Sequence, residues 1–126
     1  MIIQIEPDSE KPIYTQLTNQ IIEGIARGTI KPGDSLPSVR SFAADLGVNM
    51  HTVNKSYHEL EKKGIIQIVP KSGAVIIKQE GYDDTTYQKL KDEMRPYVAE
   101  AIVFGMNEAN IQQLVKSIIT ELDNNK

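Results

Sequence analysis

Two amphipathic stretches, one ending at Leu46 and the next beginning at Met50, are separated by Gly47-Val48-Asn49 alone. In the first, Val39, Phe42, Ala43 and Leu46 recur at helical spacing behind Ser38, a residue type that caps helix N-termini. In the second, which the pattern places over Met50–Lys63, Val53, Ser56, Tyr57 and Leu60 form the inner stripe and Gly64 ends the helix. Gly47 suits the left-handed conformation that stops a helix, and Asn49 suits the cap that starts one. A joint this short keeps the two helices from lying antiparallel along their lengths. They must cross steeply, as a helix-turn-helix.

The flanks fit that centre. Residues 1–7 alternate Ile3 and Ile5 with Gln4 and Glu6, a strand-like pattern. Pro12 suits a first helical position, and Ile13, Leu17, Ile21, Ile22 and Ile25 then mark an amphipathic helix that ends near Arg27 and Gly28. The stretch Thr29–Pro37, with Pro32, Gly33 and Pro37, reads as a connector. After Gly64, Ile65–Val69 and Ala74–Lys78 read as two strands around Pro70-Lys71-Ser72-Gly73, a hairpin in the position of a wing. Residues 1–78 are therefore expected to form a winged helix-turn-helix DNA-binding domain.

Residues 79–84 are polar and read as a linker, and residues 85–126 as a two-helix unit. Tyr87, Leu90, Met94, Tyr97, Val98, Ala101 and Ile102 repeat at helical spacing, with Pro96 as an expected kink. Gly105 and Asn107 mark a break and a restart, and Ile111, Leu114, Val115, Ile118, Ile119 and Leu122 form a second stripe. The fold class expected is mainly α with a small β-wing.

Composition narrows the function. Cysteine is absent, which excludes a disulfide framework and thiolate catalysis and fits a reducing cytoplasm. No run of about 18 apolar residues suggests a membrane span, and the opening residues lack the basic and cleavage-site pattern of a signal peptide. The net charge of −3 is unevenly spread. Residues 1–78 hold nine Lys+Arg against eight Asp+Glu, whereas residues 79–126 hold five against nine. His51 and His58 lie on one helix without a third ligand at metal spacing, so no metal is expected. Asp83-Asp84 and Glu59/Glu61 read as solvated charge, because nothing around them raises a carboxyl pKa. There is no Gly-rich phosphate loop and no nucleophile elbow, so the chain is expected to be no enzyme and to hold no cofactor.

The stretch from Pro12 to Ile66 resembles the DNA-binding domain of the GntR family of transcriptional regulators. The strongest cues are Pro32-Gly33-Asp34 with Leu36-Pro37-Ser38-Val39-Arg40, then Leu46-Gly47-Val48-Asn49, then Leu60-Glu61-Lys62-Lys63-Gly64-Ile65-Ile66. The short segment after the wing is similar to the YtrA-like subfamily, and it is too short for the aminotransferase-like unit that some relatives carry. From the residues themselves, Asn49, His51 and Thr52 sit where a recognition helix meets base edges, and Asn54 can pair bidentately with adenine. Lys55 and Lys62 suit phosphate. The resemblance implies DNA contacts from Arg40, Asn49, Met50, His51, Asn54 and the wing tip Lys71, Ser72 and Gly73, and Ser38 joins them from the same motif. Two departures stand out: Asn54 replaces a frequent arginine, and Lys71-Ser72-Gly73 keeps only the second of two wing glycines.

The apolar stripes at Leu90, Met94, Tyr97, Val98, Ile102, Ile111, Leu114, Val115, Ile118 and Leu122 exceed what a lone helical hairpin can use, which points to a second copy of the chain. The expected function is a homodimeric repressor that binds an inverted repeat in double-stranded DNA. The resemblance adds a transporter operon as the regulated target. A small-molecule effector is left open, and no membrane partner is expected.

Overall fold

The computed structural model describes residues 3–123 and contains five helices and a small sheet. Helix α1 (Ile13–Arg27) begins after Pro12, whose carbonyl accepts from the N–H groups of Thr15 and Gln16, so Pro12 is the N-cap rather than the first helical residue. It ends at Gly28, where φ of 81° lets the N–H groups of Thr29 and Ile30 turn back to the Gly24 carbonyl.

The connector that follows hides a strand. Ser35–Leu36 form β1, which pairs antiparallel with the second wing strand, Ser35 opposite Val75 and Leu36 opposite Ala74. Helices α2 (Val39–Leu46) and α3 (Met50–Lys62) come next, then β2 (Ile66–Val69) and β3 (Gly73–Ile76). The sheet order is β1-β3-β2, so the wing hairpin is stitched to the chain that precedes α2. Further bonds, Gly33 N–H to the Ile76 carbonyl and Ile77 N–H to the Ile65 carbonyl, lengthen both pairings.

This arrangement explains Gly73. A Cβ there would lie 2.1 Å from the Leu36 carbonyl oxygen, and its φ is 121°. Only glycine lets β3 pass so close to β1.

The core is continuous through these elements. Leu17 and Ile21 of α1, Val53, Tyr57 and Leu60 of α3, Phe42 of α2 and Leu36, Ile66 and Ile76 of the sheet are all buried. Ile3 and Ile5 pack against this core as the alternation suggests, but residues 3–6 form no strand. Their backbone is instead paired by glutamine side chains one turn apart on α1. Gln16 bonds both the N–H (2.8 Å) and the C=O (3.0 Å) of Glu6, and Gln20 does the same for Gln4. The first two residues of the expected segment lie outside the described residues.

Residues 79–123 belong to a second unit. Asp83 caps α4 (Asp84–Val103) by accepting from the Thr86 N–H at 2.8 Å, so the helix starts within the expected linker. The helix runs through Pro96 without interruption. After Gly105 (φ 95°), Asn107 and Asn110 accept each other's backbone N–H groups, a reciprocal cap that opens α5 (Glu108–Asp123). Neither helix has a buried residue. Leu90, Met94, Tyr97, Ile102, Leu114 and Ile118 are exposed, while Val98, Ile111, Val115 and Leu122 are half-buried. No described helix is long and apolar enough to cross a membrane.

Candidate nucleic-acid interface

The turn between α2 and α3 is built as its residue types dictate. The Ser38 hydroxyl accepts from the Ser41 N–H at 3.1 Å and starts α2. Gly47 stops it at φ 69°, and the Val48 N–H reaches back to the Ala43 carbonyl. Asn49 Oδ1 then accepts from the His51 N–H at 2.7 Å and starts α3. Capping engages the Asn49 oxygen but leaves its amide N–H groups able to donate outward.

At this corner the structure brings most of the candidate residues together. Arg40, Asn49, Met50, His51, Asn54 and Lys55 are exposed, and Ser38 and Thr52 are half-buried. Val39, Asn49, Met50, His51 and Asn54 line one shallow cleft across the heads of α2 and α3. The first turn of α3 carries no acidic residue, so its free N–H groups and positive dipole end meet no competing charge within the helix. Toward the far end of α3, Glu61 accepts from the Ile68 N–H at 2.8 Å.

Helix α3 is held from several sides. Its Ser56 shares a buried hydrogen bond of 2.8 Å with Thr18 of α1. Tyr57 donates to the Pro37 carbonyl at 2.6 Å, and burial pushes its phenol far above the ordinary tyrosine range, so it stays a donor. Phe42 packs against the Tyr57 ring at 6.3 Å between centroids. The Glu61 bond ties the far end of α3 to β2 and covers a backbone donor of the wing. On the outer side, Lys55 Nζ sits 3.9 Å from the centroid of the Tyr14 ring.

The wing turns on Pro70-Lys71. The Ser72 N–H donates to the Val69 carbonyl at 3.0 Å, and Lys71 has φ of 69°. Proline followed by a residue of positive φ is a type II pattern, in which glycine is the usual third residue. Lysine occupies that place here. Lys71 and Ser72 are exposed, whereas Gly73 is buried against Leu36 and Pro37.

Sequence reasoning did not single out Tyr14 or the outward role of Glu61. Tyr14 lies 41 positions before Lys55, and no local spacing joins them. Among the described residues no group of three His, Asp or Glu side chains is placed to hold a metal ion.

The pattern that defines bacterial regulatory proteins of the gntR family matches residues 13–76, which is α1 through the end of β3. The chain belongs to the GntR family. This GntR-family chain is 33% identical to the HTH-type transcriptional repressor YtrA of Bacillus subtilis, over 99% of the chain and 98% of that protein. The crystal structure of a transcriptional antiterminator from Listeria monocytogenes is similar over 97% of the chain and 92% of its own, with a TM-score of 0.87 and 27% identity. The DNA-binding domain of AraR, in complex with operator ORX1, matches 58% of the chain and 90% of its own, with a TM-score of 0.51 and 28% identity. The chain is a winged-helix transcriptional regulator that binds DNA and is not an enzyme.

Proposed function

We propose that this regulator is a homodimeric repressor that reads an inverted-repeat operator, acts in the cytoplasm and controls a transporter operon. Each protomer places the head of α3 in a major groove. Asn49, Met50, His51, Thr52 and Asn54 face base edges, while Ser38, Arg40 and Lys55 meet phosphate. Lys71 and Ser72 at the wing tip reach the adjacent backbone, and Gly73 holds that tip in place. The repressor and transporter assignments rest on resemblance to the YtrA-like group.

The observation that carries the dimer is the state of α4 and α5. Both helices have apolar stripes, and neither has a buried residue. Apolar surface of this extent on separate helices is costly in water and is satisfied when two copies share it. A two-fold protein then demands a two-fold site. An effector would act by binding one dimer geometry better than another, since a ligand with equal affinity for both shifts nothing.

Selection from randomised duplexes with the full chain tests this reading. The expected product is an inverted repeat with half-sites roughly 34–36 Å apart, one helical turn or a little more. Asn54→Ala is expected to relax preference at one position per half-site, at a cost of about 1–3 kcal/mol. Arg40→Ala is expected to weaken all duplexes alike. Recovery of single, unpaired half-sites by the full chain would contradict the dimer.

A further inference from the structure

Tyr14 stands in the first turn of α1, half-buried, and its place is fixed through backbone as well as side chain. One turn later the Thr18 hydroxyl bonds the Tyr14 carbonyl at 2.8 Å and, at the same distance, the Ser56 hydroxyl of α3. Ser56 adjoins Lys55 in sequence. A single buried hydroxyl therefore pins the crossing of α1 and α3 beside the point where Lys55 Nζ lies 3.9 Å from the Tyr14 ring centroid.

We infer that Tyr14 is a positioning residue for DNA binding, which holds the Lys55 ammonium over its ring face so that the charge meets a phosphate already ordered. The inference rests on the reading that Lys55 contacts the DNA backbone. Lys55 is exposed, and a lysine stem left to itself spreads its charge over many rotamers. An aromatic face attracts an ammonium electrostatically and narrows that spread. The ring occupies one side of the ammonium, and its three N–H donors leave the other side open to an oxyanion. Ordering that is complete before DNA arrives is not lost again on binding. Helix α1 thereby joins the DNA-binding surface through one side chain.

The test uses the full chain and a fluorescent duplex recovered by selection with the wild-type protein, titrated over a potassium chloride series. Tyr14→Leu is expected to weaken binding about two- to fivefold per protomer, the range set by an exposed cation–π contact. Tyr14→Phe keeps the ring and is expected to bind like wild type. Lys55→Met is expected to weaken binding further and to flatten the salt slope by about 0.9 per protomer. Tyr14→Leu added to Lys55→Met is expected to cost nothing more, because its effect passes through the lysine.

A loss that adds fully to that of Lys55→Met would overturn the inference, as would a Tyr14→Phe defect equal to that of Tyr14→Leu or a gain in affinity on removing the ring. A second measurement needs no DNA and no folded leucine variant: the Lys55 ε-methylene protons of the free wild-type chain should resonate upfield from ring current. Random-coil shifts there would refute the contact itself. Wild-type affinity in Lys55→Met, with the upfield shift present, would instead refute the phosphate contact on which the inference rests.

Discussion

Leu60 of α3 and Leu114 of α5 both lie on the apolar stripe of an amphipathic helix, yet Leu60 is fully buried and Leu114 is 45% exposed. The same contrast separates the two units. Residues 3–78 close a core over three helices and a sheet. They also satisfy their interior polar groups, with Thr18 on Ser56, Tyr57 on Pro37 and Gln16 on Glu6. Residues 79–123 have capped helices at Asp83 and Asn107 and no core at all. Apolar periodicity states that a helix must be covered, and it does not state by what. In the first unit the cover is local; in the second no residue of either helix is buried.

The largest expected effect probes that contrast directly. Leu60→Ala should lower the unfolding free energy of the winged helix by about 2–5 kcal/mol, the range for truncating a buried leucine. Leu114→Ala should leave that transition in place and make the chain's dissociation begin at higher concentration. Urea unfolding at several protein concentrations separates the two. A Leu114→Ala chain destabilised as much as Leu60→Ala at every concentration would break the comparison.

A smaller effect is expected within the first unit, at the positive-φ residue of the wing turn. Lys71 holds φ of 69°, a conformation that costs a residue with a Cβ roughly 1–2 kcal/mol. Lys71→Gly is therefore expected to stabilise the fold by about 1 kcal/mol while reducing the salt slope of DNA binding by about 1 per protomer. Thermal melting and a salt titration on the same samples check both halves. A variant that melts lower, or that keeps its salt slope, contradicts the role given to the wing tip.

The smallest effect lies at the start of α4. The Thr86 backbone N–H, and then its side chain, hold the Asp83 carboxyl below the ordinary carboxylate range. A depressed folded pKa means that the cap contributes fully above the unfolded value, about 3.9, and is lost as pH falls through the lower folded value. The Thr86 amide shift, followed by NMR from pH 6 downward, should therefore change only below pH of about 4. Asp83→Asn, which caps without ionising, should remove the change.

Much of the first unit was legible because its signals are local. Ser38, Gly47 and Asn49 cap as their residue types suggest, and the stripe Val53, Ser56, Tyr57, Leu60 is the buried face of α3. Strand β1 was not legible. Two residues, Ser35 and Leu36, cannot show an alternation, and the strand exists only because β3 passes beside it. The glutamine pairing of residues 4–6 was hidden for a similar reason, since Gln16 and Gln20 read as solvated helix positions until Gln4 and Glu6 are laid against them. Of the candidate interface, the exposed head of α3 followed from helical phase. The burial of Gly73 and the approach of Tyr14 to Lys55 depend on contacts across the fold.

We propose that the second unit joins two winged helices. Sedimentation equilibrium on the full chain, on a chain ending at Lys78 and on Leu114→Asp tests it most directly, with a titration of each against a duplex carrying two half-sites. The expected result is a dimeric full chain, and a folded monomer for the other two that binds the duplex weakly and without cooperativity, because an unpaired charge in an apolar seam costs several kcal/mol. A chain ending at Lys78 that stays dimeric and keeps full affinity would instead place the joint in the winged helix.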